Sequence, residues 1–86
     1  MPFVIEFEIV AVTGTIRLYI GANNNFIGIN QTGEYHAEVT STGINISRNG
    51  IALTPIAAPS SPLNIGWSSN NTSNKGIIKN FIIYLI

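Results

Sequence analysis

Apolar and polar residues alternate with a period of two along almost the whole of this chain. The clearest example is the segment Glu34–Thr40, whose apolar members are Tyr35, Ala37 and Val39. A period of two places successive side chains on opposite faces of an extended strand, whereas an amphipathic helix needs apolar residues every three or four positions. The chain is therefore predicted to be all-β.

Clusters of glycine, proline, asparagine and serine divide the alternating sequence into short segments. They recur roughly every 8–12 residues, the spacing typical of a β-sandwich or jelly roll. We therefore predict one domain over residues 1–86, an antiparallel two-sheet β-sandwich or jelly roll of about eight strands. The strands are predicted at Phe3–Val12, Thr15–Ile20, Phe26–Asn30, Glu34–Thr40, Ile44–Arg48, Ile51–Ile56, Leu63–Trp67 and Ile77–Ile86.

Two turns predict which neighbouring strands pair. Asn49-Gly50 is the strongest hairpin signal in the chain, and Thr13-Gly14 is expected to join the first two strands as a second hairpin. In that second hairpin Arg17 would pair with Glu6 or Glu8. The two glutamates are therefore interpreted as a solvated strand centre rather than as the paired carboxylates of a glycoside hydrolase.

The terminal strands carry more apolar residues than one core-facing side needs. In the first strand the expected core face is Phe3, Ile5, Phe7, Ile9 and Ala11, which leaves Val4 and Val10 facing outward. Residues 77–86 are apolar on both faces. Since only one face of a sandwich strand meets the core, a neighbouring copy is the simplest cover for the other face.

Charged residues make up only 9% of the chain, with four basic and four acidic residues and no net charge. Ordinary soluble domains have about 25% charged residues. A surface with so little charge has little electrostatic protection against association, which favours a protein whose surface is covered by partners. A nucleic-acid partner is not expected, because phosphate binding needs clustered lysine and arginine.

The residue types needed for common catalytic and metal sites are scarce. There is no cysteine and no aspartate, and His36 is the single histidine. Glu34, His36 and Glu38 lie on one face of one strand and their side chains point in parallel. We therefore interpret them as part of a solvent-exposed outer face rather than as converging metal ligands. No enzyme activity, cofactor or metal is expected. Without disulfides or a metal, self-association is the expected stabiliser of so small a domain.

Neither end of the chain predicts a membrane partner. Residues 1–12 are apolar but include Glu6 and Glu8 and lack a basic flank, so they are not expected to form a signal peptide. No run approaches the ~20 apolar residues of a membrane-spanning helix.

The order of the motifs resembles that of a known family. The opening strand Val4–Val10 is followed by a strand ending in glycine at Gly14–Gly21, a Gly-x-Tyr strand beginning at Gly33, and a closing strand Gly76–Phe81. This order is similar to that of the small carbohydrate-binding-module-like β-sandwiches found at the ends of bacteriophage tail and other virion proteins. That family closes with Gly-x-Ile-Asp-Asn-Val, so Lys79 stands here in place of an acidic residue. The resemblance implies a sandwich fold and a viral structural context.

Together these observations predict a non-enzymatic structural module of a bacteriophage virion, either a capsid decoration (cement) protein or a fibre-tip domain. A length of 86 residues starting at Met1 favours the decoration protein. We expect a homo-oligomer, specifically a trimer, that contacts other virion proteins. The outward apolar residues expected at the interface are Val4, Val10, Tyr19, Phe81 and Ile83.

The alternative is a carbohydrate-binding module that recognises a cell-surface glycan. Aromatic rings stack on sugar rings, and asparagine amides bind sugar hydroxyls. The candidate residues are Trp67, Tyr19, Asn24, Asn25, Asn70 and Asn71. Trp67 shares a face with Leu63 and Ile65, which favours a place in the core, and asparagine clusters are also typical of turns.

Overall fold

The computed structural model describes residues 2–21, 25–59, 64–69 and 71–86. Within these ranges the regular secondary structure consists of β-strands alone. The strands form two antiparallel sheets that make a small β-sandwich. The predicted fold class is confirmed. None of the described residues forms a helix long and apolar enough to cross a membrane.

One sheet has five strands and the other has three. In chain order the strands are β1 (Phe3–Thr13), β2 (Ile16–Ile20), β3 (Phe26–Ile29), β4 (Gly33–Thr40), β5 (Gly43–Arg48), β6 (Ile51–Ala52), β7 (Ile65–Ser68) and β8 (Lys75–Leu85). The larger sheet has the order β6-β5-β4-β1-β8, and the smaller has the order β3-β2-β7. Leu63, predicted to begin the seventh strand, lies outside the described residues.

The core lies between the two sheets and follows the alternation of the sequence. In β4, for example, Tyr35, Ala37 and Val39 are buried while the residues between them are not. The remaining buried members are Phe3, Ile5, Phe7, Ile9, Ile16, Leu18, Ile20, Ile27, Ile29, Ile44 and Ile46. Each large side chain removed from water in this way contributes roughly 1.5–3 kcal/mol of hydrophobic stabilisation.

The hairpin predicted at Asn49-Gly50 is confirmed. Arg48 pairs with Ile51, and the two turn residues have φ values of 52° and 80°. A two-residue turn with positive φ at both positions matches the twist of the flanking strands, and Asn and Gly adopt this conformation at the lowest cost. The Asn49 side chain also accepts a hydrogen bond of 2.8 Å from the backbone N–H of Glu34.

The hairpin predicted between the first two strands is wrong. β1 pairs with β4 on one side and β8 on the other, so it has no free edge for β2. β2 instead crosses to the smaller sheet and pairs with β3 and β7. The Thr13-Gly14 turn therefore connects the two layers of the sandwich, and Arg17 lies in a different sheet from Glu6 and Glu8.

The pairing of β1 with β8 shifts register twice. The first shift is on β8, where Asn80 and Phe81 together lie opposite the single residue Phe7. Asn80 has a φ of 55°, in the left-handed region that asparagine tolerates better than most residues. This extra residue forms a β-bulge. It keeps Lys79 opposite Glu8 on the outer face of the sheet, while Phe81 reaches the core side.

The second shift is on β1, where Val10 is the extra residue. Beyond it the alternation changes phase, because one additional residue exchanges the two faces of a strand. Ala11 is therefore exposed and Val12 packs against the core. The prediction that Ala11 is a core residue is wrong for this reason.

Candidate interaction surface

The two sheets have four edge strands in the part of the chain that the structure describes, and one differs from the others. β3, β6 and β7 have four, two and four residues, whereas β8 has eleven. Short edge strands are one of the ways in which proteins limit pairing with foreign strands. β8 lacks this protection.

The apolar side chains at the end of β8 are exposed to solvent. The exposed fraction of the residues from Phe81 to Ile86 ranges from 36% for Phe81 to 66% for Leu85. We call these six residues the β8 surface. They expose on the order of 600 Å², the upper end for the largest apolar patch of a typical monomer.

The β8 surface has apolar residues on both faces of the sheet. Ile83 lies opposite Ile5 on the core-facing side, and Tyr84 lies opposite Val4 on the outer side. The smaller sheet reaches β8 through Trp67, whose ring centroid lies 5.8 Å from that of Phe81. Beyond Phe81 the core-facing side is less covered in the described part of the chain, and Ile83 is 47% exposed even though its partner Ile5 is completely buried.

The two halves of β8 differ in the features that discourage strand pairing. The first half contains Lys75, Lys79 and the bulge at Asn80. Charged side chains and bulges on an edge strand hinder the addition of another strand. The β8 surface contains no charge, proline, glycine or bulge. Pairing of β8 with another strand is therefore hindered before Asn80, whereas nothing in the sequence after Asn80 hinders it.

Four of the five residues predicted at an interface are at least partly accessible. Val10 is exposed at the β1 bulge, Tyr19 is half-buried, and Phe81 and Ile83 belong to the β8 surface. The prediction for Val4 is wrong, because this residue is only 2% exposed. It lies between Glu38 and Tyr84 on the neighbouring strands, and these longer side chains flank its short one.

Sequence reasoning missed several residues of this surface. Ile82, Tyr84, Leu85 and Ile86 are exposed but were not among the predicted interface residues. The available signal was the unbroken apolar run after Asn80, which has no polar face. That run was expected to have one face in the core, an expectation that does not hold for a strand at the edge of the sheet.

A second surface lies on the outer face of the smaller sheet. The Arg17 guanidinium carbon lies 4.5 Å from the ring centroid of Phe26, and Arg17 Nη1 donates to the Tyr19 hydroxyl at 3.2 Å. The Tyr19 and Phe26 ring centroids are 5.3 Å apart. Gly66 lies beside Tyr19 in the register, and a side chain there would meet no atom within 4 Å. The result is a small aromatic platform with one positive charge and open space beside it.

The structure separates the residues proposed for glycan binding. Trp67 packs edge-on against Phe7, with centroids 5.2 Å apart, so its ring is engaged at the side of the core. Asn25 donates to the carbonyl of Ala57 at 3.1 Å, and Asn71 Oδ1 accepts from the backbone and hydroxyl of Ser73. The side chains of Asn25 and Asn71 therefore form hydrogen bonds that stabilise loops. Asn24 and Asn70 lie outside the described residues. Tyr19 and Trp67 are both half-buried, but only the Tyr19 ring lies on the outer face of its sheet, away from the core.

All four side-chain carboxylates of the protein lie on the outer face of the larger sheet. His36 Nδ1 lies 2.8 Å from Glu6 Oε2, and Glu8 lies directly opposite Glu34. Glu6, Glu8, Glu34 and His36 border a shallow concavity of about 480 Å³. The expected pairing of Glu6 or Glu8 with Arg17 is wrong, since Glu6 contacts His36 instead. Among residues 2–21, 25–59, 64–69 and 71–86, no three acidic, histidine or cysteine side chains converge to hold a metal ion.

Two tyrosines have raised pKa values. Burial raises the pKa of the Tyr35 phenol, although the nearby Arg48 guanidinium acts in the opposite direction. Loss of hydration raises the pKa of Tyr84, and the Glu6 carboxylate adds to the increase. Tyr84 lies beside Glu6 and links the β8 surface to the acidic face.

Comparison of the chain with protein-family models, curated proteins and solved structures gives no match.

Proposed function

We propose that this protein is a non-enzymatic assembly module that forms a homo-oligomer through the β8 surface. The observation that carries the proposal is the exposure of six consecutive apolar residues on a long edge strand. A monomer gains nothing from keeping such a segment in water, and edge strands of this kind associate readily with other strands. Few charges elsewhere on the chain oppose association.

The size of the β8 surface is sufficient for association. Burying on the order of 600 Å² of apolar surface on each copy gives a gross stabilisation of about 15 kcal/mol per copy at 25 cal/mol per Å². The loss of translational and rotational freedom costs roughly 4–15 kcal/mol. This gross figure is an upper bound, because polar and main-chain atoms share the surface, and it is sufficient to offset the cost of association.

The setting we propose for this assembly is a bacteriophage virion, as a capsid decoration protein or a fibre-tip domain. The support is the order of turn and strand motifs that resembles virion-associated β-sandwiches. Many copies on one particle would also turn modest individual contacts with other virion proteins into strong attachment, because linked sites bind with avidity.

Sedimentation velocity over a range of protein concentrations tests the proposal. The unmodified protein should sediment as an oligomer, and Ile82→Lys should shift it towards the monomer by at least about tenfold in dissociation constant, since a charged ammonium group would have to be desolvated in the apolar interface. A lysine at this position lies opposite Glu6 within the same copy, so the fold should tolerate it. Ile51→Lys, on the short edge strand β6, is the matched control and should change nothing. A stable monomer at every concentration would refute the proposal.

The second candidate is glycan binding at the platform formed by Arg17, Tyr19 and Phe26. The observation in its favour is the half-buried Tyr19 ring beside the space left by Gly66. A glycan array should then give hits with the unmodified protein that Tyr19→Ala abolishes. Trp67→Phe should retain them because Trp67 is engaged at the core. An array without hits would remove this candidate.

A further inference from the structure

We propose that two copies of the protein pair through β8, antiparallel and about a two-fold axis, so that their five-stranded sheets become one continuous sheet. The inference rests on the proposed assembly function and specifies its geometry. It begins with the backbone. β8 is hydrogen-bonded to β1 along one edge, and its other edge has no partner strand in the described residues. The N–H and C=O groups on that free edge are a template for a further strand.

The bulge at Asn80 fixes where the second strand can begin. A bulge interrupts the regular row of donors and acceptors and bends the strand. Regular pairing is therefore restricted to the part of β8 after the bulge, from Phe81 to the end of the strand at Leu85. The midpoint of this segment is Ile83. A two-fold axis at Ile83 uses the whole segment and leaves Lys79 outside it.

This register brings compatible side chains together on both faces of the joined sheet. Ile83 meets Ile83 of the second copy, Phe81 meets the second copy's Leu85, and Ile82 meets its Tyr84. Pairs of aromatic and branched side chains are among the favourable neighbours across antiparallel strands. No charged residue lies within the paired segment. Self-pairing therefore places no like charges opposite one another.

Backbone pairing and a self-complementary surface support a second copy as the occupant. Two β8 surfaces present on the order of 1,200 Å² together, of which edge-to-edge pairing buries the part along the shared edge, and the main-chain hydrogen bonds of strand addition supply the remaining attraction. The same surface is used on both copies, as a two-fold interface requires. The four carboxylates of the acidic outer face lie on β1 and β4, so β8 itself separates each of them from the joined edge.

The geometry changes the expected number of subunits. In the ranges that the structure describes, each copy has one free edge of this length, and a strand edge accepts one further strand. Pairing therefore stops at two copies, and the predicted trimer is replaced by a dimer.

Cysteine cross-linking tests the pairing directly, because the natural chain has no cysteine. Directly opposed residues on antiparallel strands have Cα atoms about 4.5–5.5 Å apart, within the range that a disulfide spans. Ile83→Cys should form a covalent dimer under mild oxidation. Ile77→Cys is the matched control, on the same strand and 60% exposed. Its two copies would lie roughly 40 Å apart, so at least about tenfold less dimer is expected.

A second pair of variants covers the possibility that Ile83→Cys alters the fold. A mixture of Ile82→Cys and Tyr84→Cys proteins should form more mixed disulfide dimer than either variant alone, because these positions are opposite each other in the proposed register. Hydrogen exchange of the unmodified protein adds an independent measurement. Among residues 81–85, the amides whose N–H groups point to the free edge should exchange more slowly at high concentration than at low concentration, while the amides of β6 remain unchanged.

The outcomes separate this inference from the proposed function. An oligomer that cross-links through Ile77→Cys or Ile51→Cys but not through Ile83→Cys overturns the strand pairing and leaves assembly intact. A trimer by sedimentation also overturns the pairing. A monomer at all concentrations refutes both proposals and assigns the free edge to a strand from another protein.

Discussion

β1 and β8 lie side by side in the larger sheet, have eleven residues each and are both largely apolar, with valine, isoleucine and phenylalanine in β1 and mainly isoleucine in β8. Their environments nevertheless differ. Ile5 of β1 is completely buried, whereas Ile83, its direct partner on β8, is 47% exposed. Among the described residues, β1 has strands on both sides and the smaller sheet above it, while β8 has one neighbouring strand and less cover on its core-facing side beyond Phe81. Burial therefore depends on the position of a strand in the sheet as much as on its hydrophobicity.

The largest expected effect comes from truncating these two paired isoleucines. Ile5→Ala should lower the free energy of unfolding by about 3–4 kcal/mol, because it removes buried methyl groups and leaves a cavity. Ile83→Ala should lower it by less than about 1 kcal/mol, since the side chain is half in water already. Urea unfolding followed by Trp67 fluorescence, in dilute solution where the monomer dominates, measures both.

The same two variants can also contradict the difference in burial between β1 and β8. Equal losses for Ile5→Ala and Ile83→Ala in the monomer would mean that β8 is as well covered as β1. At high protein concentration the loss from Ile83→Ala should increase, because the residue is then buried between two copies.

An intermediate effect is expected at the bulge that divides β8. Asn80→Ala should destabilise the monomer by about 1 kcal/mol, since alanine adopts positive φ less readily than asparagine. Asn80→Gly should be neutral or slightly stabilising because glycine has no β-carbon. Thermal unfolding measures both. A loss for Asn80→Gly equal to that for Asn80→Ala would show that the side chain, rather than the backbone conformation, is what matters.

The smallest effect is a decrease in stability at high pH. The pKa values of Tyr35 and Tyr84 are raised in the folded protein. The unfolded chain loses its tyrosine protons near pH 10 while the folded protein retains them, so the free energy of unfolding should fall as the pH rises above about 10. Below pH 10 both states are protonated and no change from these groups is expected.

Single variants separate the two tyrosines. Tyr35→Phe should remove part of the high-pH slope at every protein concentration, because Tyr35 stacks on Phe7 inside one copy. The part removed by Tyr84→Phe should depend on concentration, because pairing through β8 would change the surroundings of Tyr84. Urea unfolding between pH 8 and pH 11, values chosen around the tyrosine pKa, tests both. A slope unchanged in Tyr35→Phe would contradict the assignment.

Sequence patterns predicted the fold class and the strands that have one apolar face. In β4 and at Asn49-Gly50 the local sequence contains all the required information, because alternation sets the faces and positive φ sets the turn. The Thr13-Gly14 turn shows the limit of such reasoning. A turn signal indicates that the chain reverses, but which sheet the next strand joins depends on whether the neighbouring edges are already occupied.

The candidate surface was predicted in part. The apolar run of β8 indicated a need for cover, and Phe81 and Ile83 were identified from it. Its position at an open edge was not predictable, because edge and centre are properties of the whole sheet. Val4 illustrates the converse, since an outward valine became buried through its long neighbours Glu38 and Tyr84.

The two bulges between β1 and β8 also constrain how the length of this protein can change. They lie on opposite strands, so Phe3 still meets Leu85 at one end and Thr13 still meets Lys75 at the other. Losing one bulge residue without the other would slide Asn74 by about 3.3 Å along the strand. Its amide would then miss the Thr15 carbonyl, to which it now donates at 2.8 Å. An insertion or deletion in β1 is therefore expected to be retained in evolution only when β8 changes in length by the same number of residues.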